Sequence, residues 1–327
     1  MLTSKKWDPR GKHCYVTGGS AGLGLALAIL LTRKGADVSI VARHKGRLGK
    51  ALELMEAERQ TPNQVLRSFS CSLNDATEAW DALEAACKAH GGRCPDAIFL
   101  CAGTSTPGFF VEESEESLRR GMDNTYWAGA WTALAAAKRM VRHKAKGKIV
   151  FVSSVLAYMS IIGYASYSPG KFALRGLAET LRSELLLYPI DVHIFFPGTI
   201  YSPGYENENK TKPKVTLKIE ETDDGLHPEQ AAAVLLKGVQ KDYFHISPDF
   251  IGNVFRTTTK GATPLNNVLI DWVYALIGWI ALPVWRWTVD KAVKEHRKEH
   301  AAYLEERGFF QEDVVGTNGH VEASPGA

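Results

Sequence analysis

Short β-forming runs alternate with longer helical patterns over the first two-thirds of the chain. That rhythm restricts the fold more than any other feature. The strand candidates are His13–Thr17, Asp37–Val41, Gln64–Ser70, Ala97–Cys101, Lys148–Ser153 and Asp191–Phe196. Helical patterns fill the gaps at Leu23–Lys34, Gly46–Arg59, Ala76–Ala89, Glu115–Val141 and Ser168–Leu187. Steady strand–helix–strand alternation implies a parallel sheet covered on both faces. Crossovers between parallel strands are right-handed, so the expected architecture is α/β, a doubly wound parallel sheet. With 327 residues, 45% of them apolar, the chain can bury one large core and has material left over. No internal repeat is visible.

Composition closes off several function classes. A net charge of +3 is small for this length and gives no case for a nucleic-acid partner. The five cysteines, Cys14, Cys71, Cys87, Cys94 and Cys101, are odd in number and form no C-x-x-C pair. A reduced, cytosol-facing chain fits them better than a disulfide framework or a zinc site, and no metal site is expected. Met1 to Lys12 is polar and lacks an apolar h-region, so no secretory signal is expected.

The run from Thr17 through Gly18, Gly19, Ser20, Ala21, Gly22 and Leu23 to Gly24 follows the first strand and opens the first helix. Glycines allow a sharp turn and bring backbone N–H groups against a pyrophosphate, while the helix N-terminus adds partial positive charge. The strand before and helix after give this Gly-rich run its weight. The second strand ends Val41-Ala42-Arg43. A carboxylate about 20 residues past the glycines would bind the ribose 2′-hydroxyl of NAD. Here Ala42 is neutral, and the Arg43 guanidinium suits a 2′-phosphate through charge-assisted hydrogen bonds. The expected cofactor is therefore NADPH.

Tyr167 and Lys171 stand at i and i+4, on one face of a helix that starts near Ser168. Pro169 is tolerated in a first turn. Gly170 costs helix stability and leaves room for something to lie against the helix. A tyrosine acting as a base near neutrality needs its pKa lowered by roughly 3 units, or about 4 kcal/mol. In the reducing direction the protonated phenol is the required form, and it donates to the nascent alkoxide. Ser153 and Ser154 end the fifth strand, where only one of two neighbours points at a substrate. A serine there can hold a carbonyl oxygen as negative charge develops. Asn124, on the long fourth helix, can position a water that links Lys171 to solvent.

Together these residues resemble the short-chain dehydrogenase/reductase family, with its Rossmann fold. Its hallmarks read here as Thr17–Gly24, Cys101-Ala102-Gly103, Asn124, Ser154, and Tyr167 to Lys171, in order from about Lys12 to Phe196. The resemblance implies Ser154, Tyr167, Lys171 and Asn124 as catalytic residues, with Ser153 as understudy. It implies cofactor contacts from Gly18, Ser20, Ala21, Gly22, Leu23, Gly24, Arg43, Leu73, Gly103, Tyr167 and Lys171. Phe196-Pro197-Gly198-Thr199-Ile200 matches the family's turn along the nicotinamide, adding Pro197, Gly198 and Ile200. Two positions depart from the pattern. Cys101 replaces an asparagine of largely structural role. Ser72-Leu73 stands where the family often has an aspartate at the adenine.

Two segments break the alternation. Ser202–Pro228 is polar, carries Pro203, Pro213 and Pro228, and reads as a long loop or lid. Its residues Pro203–Pro213, Glu220–Thr222 and His227–Gln230 resemble the 3-ketodihydrosphingosine (3-ketosphinganine) reductases. That likeness implies NADPH reduction of the C3 ketone of a long-chain keto-base lipid at the endoplasmic reticulum membrane, with the active site facing the cytosol. Glu206, Glu208, Glu220 and Glu221 are candidates to attract the substrate ammonium or are solvated loop charges.

The second segment, Val268–Val289, is apolar and carries Trp272, Trp279, Trp285 and Trp287. Its charge-free part, Trp272–Trp285, is short of the roughly 20 residues that a bilayer span needs, so an interfacial or re-entrant membrane anchor is expected, with a hydrophobic oligomer contact or a buried core helix as the alternatives. Lys291, Lys294, Arg297 and Lys298 follow and can meet anionic lipid. The expected division is a catalytic domain over 1–260, a membrane-associating extension over 261–310 and a flexible tail over 311–327. Family likeness implies a homo-oligomer, dimer or tetramer. The alternatives left open are another lipophilic ketone (steroid, retinoid or 3-ketoacyl), a dinucleotide-sensing protein without turnover, and a membrane scaffold.

Overall fold

A computed structural model describes residues 6–221, 223–307 and 309. The expected tail over 311–327 lies outside the described residues. Seven parallel strands form one sheet in the order β3-β2-β1-β4-β5-β6-β7. They are β1 (His13–Thr17), β2 (Asp37–Ala42), β3 (Leu66–Ser70), β4 (Ala97–Leu100), β5 (Gly147–Val152), β6 (Ile190–Phe195) and β7 (His245–Ile246). Six match the expected strands closely. The seventh has two residues, too few to leave a periodic trace.

Between the strands run α1 (Gly22–Arg33), α2 (Lys45–Glu56), α3 (Ala76–Ala89), α4 (Glu115–Met122), α5 (Ala128–Arg142) and α6 (Ser168–Glu184). Strand alternation sends side chains to two cores. Tyr15, Ile98, Phe151 and Ile194 pack on the side of α3, α5 and α6. Val16, Ile40, Phe99 and Phe195 pack on the side of α1 and α2. Both faces are buried, so the strands read as unbroken apolar runs. Strand order reverses at β1 and β4, which opens a crevice at their carboxyl ends.

Three expectations need correction. The single helix expected over Glu115–Val141 is interrupted by a π-helical turn at Asp123–Trp127 between α4 and α5. The segment Ser202–Pro228 contains two short helices, α7 (Pro203–Asn209) and α8 (Lys214–Ile219), before α9 (Pro228–Gln240). Pro203 and Pro228 occupy first helical turns, where the missing N–H costs nothing.

The third correction concerns length. After α10 (Phe250–Thr258), the apolar segment forms one helix of 28 residues, α11 (Val268–Glu295), followed by α12 (Arg297–Glu306). Asp271 marks the edge of the charge-free run in sequence but does not end the helix. Its buried carboxylate takes both arms of Arg256, at 2.5 and 3.0 Å. By length and composition α11 is long and apolar enough to cross a membrane. Leu269, Trp272, Val273, Leu276, Trp279, Ile280, Val284 and Trp287 are each more than half exposed. Their spacing makes one outward stripe, while Gly278 and Val289 are buried and Leu282 and Trp285 pack on the body.

Candidate active site

A cavity of about 510 Å³ opens at the carboxyl ends of the strands. Every expected catalytic and cofactor-binding residue lines it: Gly18, Ser20, Ala21, Gly22, Leu23 and Gly24, Arg43, Leu73, Gly103, Asn124, Ser154, Tyr167, Lys171, Pro197, Gly198 and Ile200. Of the four acidic candidates for the ammonium, Glu208 and Glu220 line it and Glu206 and Glu221 do not.

One end of the cavity is built from backbone. Gly18 turns the chain at φ +65°, and a Cβ there would sit 2.9 Å from the Ala102 nitrogen. Only glycine combines that dihedral with that approach. The N-cap of α1 is Ala21, which offers no side-chain cap, so the first N–H groups of the helix stay available to an anion. Thr17 ties the turn to the chain after β4, its Oγ1 accepting from the Ala102 nitrogen at 3.1 Å. Arg43 is exposed on the rim beside Ala42, His44 and Arg47, and has no ion-pair partner among the described residues. This uncapped, side-chain-free cradle fits a dinucleotide pyrophosphate.

The reacting end is built from side chains. Ser153 and Ser154 part company, as strand alternation requires. Ser153 is buried and donates to the Lys171 carbonyl at 3.1 Å, so its hydroxyl is committed to backbone. Ser154 caps the next turn, its Oγ accepting from the Leu156 nitrogen at 3.1 Å, and faces Tyr167. Tyr167 is the N-cap of α6, and Lys171 lies one turn on, its Nζ 5.5 Å from the Tyr167 ring centre. Lys171 donates to the Val152 carbonyl at 3.1 Å.

Burial pulls the Lys171 ammonium down to about 8, with Cys101 acting weakly the other way. Burial, and then the Glu208 carboxylate, push the Tyr167 phenol well above its ordinary value, with Ser154 opposing them. A protonated phenol is the form a proton donor needs.

The π turn explains Gly170. A Cβ on Gly170 would collide with Thr125 Oγ1 at 1.7 Å, so α6 and the turn can meet only at a glycine. The turn also brings Asn124 inward. A methyl placed on Gly103 would lie 3.3 Å from the Asn124 carbonyl oxygen and 3.5 Å from Lys171 Nζ. Asn124 Oδ1 accepts from Asn74 at 3.3 Å, a partner that the sequence did not single out. π turns interrupt the usual carbonyl pairing and often occur at functional sites.

A third wall comes from the segment expected to be a lid. Tyr164 Oη lies 2.7 Å from Glu208 Oε1 and 2.8 Å from Glu220 Oε1. Lys212, whose side chain is fully buried, stands 3.2 Å from Glu208 Oε1 and 2.7 Å from Glu220 Oε2. Tyr164 and Lys212 escaped the sequence reading. The i,i+4 spacing of Glu208 and Lys212 is the only local signal for this network. Beside Tyr164, Leu156, Met159 and Ile161 form an apolar wall that packs toward Trp285 and Val289 of α11.

This fold and this constellation define a nicotinamide-dependent oxidoreductase. The short chain dehydrogenase family model matches residues 12–213, and the chain belongs to that family. It is 43% identical to 3-ketodihydrosphingosine reductase TSC10 of Cryptococcus neoformans var. neoformans serotype D over 304 residues, covering 93% of this chain and 90% of that protein. It is 36% identical to 3-ketodihydrosphingosine reductase ksrA of Aspergillus fumigatus, covering 83% of this chain and 80% of that protein. Identity to the 3-dehydrosphinganine reductase of Danio rerio is 32%, over 82% of this chain and 80% of that one. Among solved structures, a short chain dehydrogenase/reductase from Burkholderia phymatum in complex with NAD superposes with a TM-score of 0.68 at 18% identity, covering 78% of this chain and 95% of that one. At that identity the likeness concerns the fold.

Proposed function

We propose that this enzyme reduces the C3 ketone of 3-ketodihydrosphingosine to dihydrosphingosine with NADPH. The observation that carries the proposal is whole-length likeness, through the lid segment and into the C-terminal helices, to proteins named for that reaction. The preference for NADPH rests on neutral Ala42 and unpaired Arg43 at the cofactor end of the cavity.

The bound dinucleotide would supply the hydride. Gly18 through Gly24 would hold its pyrophosphate and Arg43 its 2′-phosphate. Leu73 and Gly103 would line its adenosine and ribose course, and Pro197, Gly198 and Ile200 the nicotinamide end. Ser154 would hold the ketone oxygen, and Tyr167 would pass its phenolic proton to that oxygen as the alcohol forms. Lys171 would tune the phenol and grip the nicotinamide ribose, and Asn124 would keep the proton path supplied.

Residues 1–260 would form the catalytic unit and 261–310 the membrane-associating one. A long-chain base is mostly alkyl, and each methylene removed from water contributes about 0.8 kcal/mol, so the substrate resides in lipid. The outward stripe of α11 suits the interface, with Trp272, Trp279 and Trp287 at headgroup level. The setting would be the endoplasmic reticulum membrane with the cavity on the cytosolic side. Assembly as dimers or tetramers follows the family habit.

The test is NADPH oxidation by purified protein in mild detergent with 3-ketodihydrosphingosine. Rapid turnover, slower with NADH, is expected. Absence of turnover alongside intact NADPH binding, with activity on a steroid, retinoid or 3-ketoacyl ketone instead, would overturn the substrate.

A further inference from the structure

We infer that Glu208 recognises the substrate's ammonium group, on the carbon next to the reacting ketone, and so selects amino-ketones over neutral ketones. The inference rests on the substrate reading above and adds the residue that enforces it.

Four observations separate Glu208 from an ordinary loop carboxylate. First, it lines the same cavity as Tyr167, Ser154 and Lys171. An ammonium two bonds from the ketone carbon must lie close to whatever holds the ketone oxygen. Glu208 meets that requirement, since Tyr164, whose hydroxyl lies 2.7 Å from it, has its ring centre 6.0 Å from that of Tyr167.

Second, hydrogen-bond accounting leaves it spare capacity. Tyr164 and Lys212 both approach Oε1 of Glu208, whereas Glu220 spends Oε1 on Tyr164 and Oε2 on Lys212. Glu208 Oε2 makes no hydrogen bond among the described residues. A carboxylate can accept at both oxygens, and the single phenolic proton of Tyr164 serves one carboxylate at a time.

Third, the charges do not balance. Two carboxylates share the single ammonium of Lys212, so this cluster carries one more acidic than basic group. A cationic ligand would supply the missing partner, and a charge-assisted hydrogen bond to it would be short and strong. Asp223 also lines the cavity, where burial and then Glu220 push its carboxyl up.

Fourth, an apolar wall adjoins Tyr164. Leu156, Met159 and Ile161 offer nothing to a cation and suit an alkyl chain. The cavity therefore offers two kinds of surface, a carboxylate for the ammonium and an apolar wall, packed against α11, for the chain.

The experiment compares Glu208→Gln with the native protein on 3-ketodihydrosphingosine and on its analogue lacking the amine. Both are assayed as full-length protein in the same detergent with NADPH. Native protein is expected to favour the amine in kcat/KM. In Glu208→Gln that preference falls at least tenfold, mostly through KM of the amino-ketone. Glu220→Gln serves as the structural control. It lowers thermal stability and slows both substrates together, because both its oxygens hold the network.

If Glu208→Gln slows both substrates in the same ratio, or changes neither, Glu208 does not read the amine. If native protein turns over only neutral ketones, the substrate reading itself is wrong. If it turns over both equally, only the inference about selection fails.

Discussion

The same parallel strands carry polar clusters at both ends, and the two are built to opposite designs. At the amino ends, His13 and His90 stack at 3.6 Å between ring centres and share the Ser39 hydroxyl at 3.1 and 2.9 Å. Nearby, Asp191, His193 and Asp242 converge like metal ligands, but Lys148 Nζ already stands 2.6 Å from Asp191 and 3.5 Å from Asp242. Lys148 and the two aspartates pair with one another, and the histidine pair leaves only its two Nδ1 atoms unpartnered, sealed away from any cavity. At the carboxyl ends, Ser154, Tyr167, Lys171 and Glu208 keep capacity in reserve and turn it toward an open cavity. The contrast teaches that polarity in a core is not the mark of chemistry. Unspent polarity beside empty space is.

That contrast can be broken by substitution. Tyr167→Phe should lower kcat by roughly 10²- to 10⁴-fold, the usual contribution of a positioned acid. NADPH binding and thermal stability should persist, because the lost hydroxyl faces the cavity. A variant that keeps its activity would remove Tyr167 from the chemistry. Arg43→Glu should shift the kcat/KM ratio of NADPH over NADH toward NADH by roughly 10- to 100-fold, the loss of one or two hydrogen bonds to a charged group at ~1.5–3 kcal/mol. An unchanged ratio would place the 2′-phosphate elsewhere.

The smallest expected effect belongs to the closed end and is read in stability. Burial pulls His90 down to about 4, and burial, His90 and Arg93 pull His13 down to about 2. Both folded-state values lie below the ordinary value of about 6.5. The unfolded chain therefore binds protons first as pH falls. Stability from this pair should be complete above about pH 6.5 and decline from there toward pH 4. Denaturant midpoints across that range should show the decline, and His90→Gln should flatten part of it.

Much of the open end was legible in the sequence because its chemistry is local. The glycine run lies on one turn, and Tyr167 and Lys171 lie on one helix face. What escaped depends on tertiary pairing. Nothing near Asp123 announces a π turn, since the helix widens only where Thr125 meets Gly170 of α6. Lys212 looks solvated until two helices bring it between Glu208 and Glu220. Pro203 and Pro213 suggest loop, yet they sit at the first turn of one helix and the N-cap of the next. Asp271 reads as the limit of an apolar segment because the distant Arg256 that neutralises it cannot be inferred from spacing.

Gly278 of α11 has a further consequence. A Cβ there would come within 2.4 Å of Thr258 and 3.0 Å of Val254 on α10, so the two helices touch at that point only because the side chain is absent. Together with the Arg256–Asp271 pair at the start of α11, this contact fixes both the pitch and the roll of the outward stripe relative to the cavity. An enzyme docked through that stripe would meet a bilayer at one angle, with its catalytic mouth at one height above the lipid. A bulkier residue at 278 would tilt the whole body, changing how a lipid is delivered without touching any residue that reacts with it.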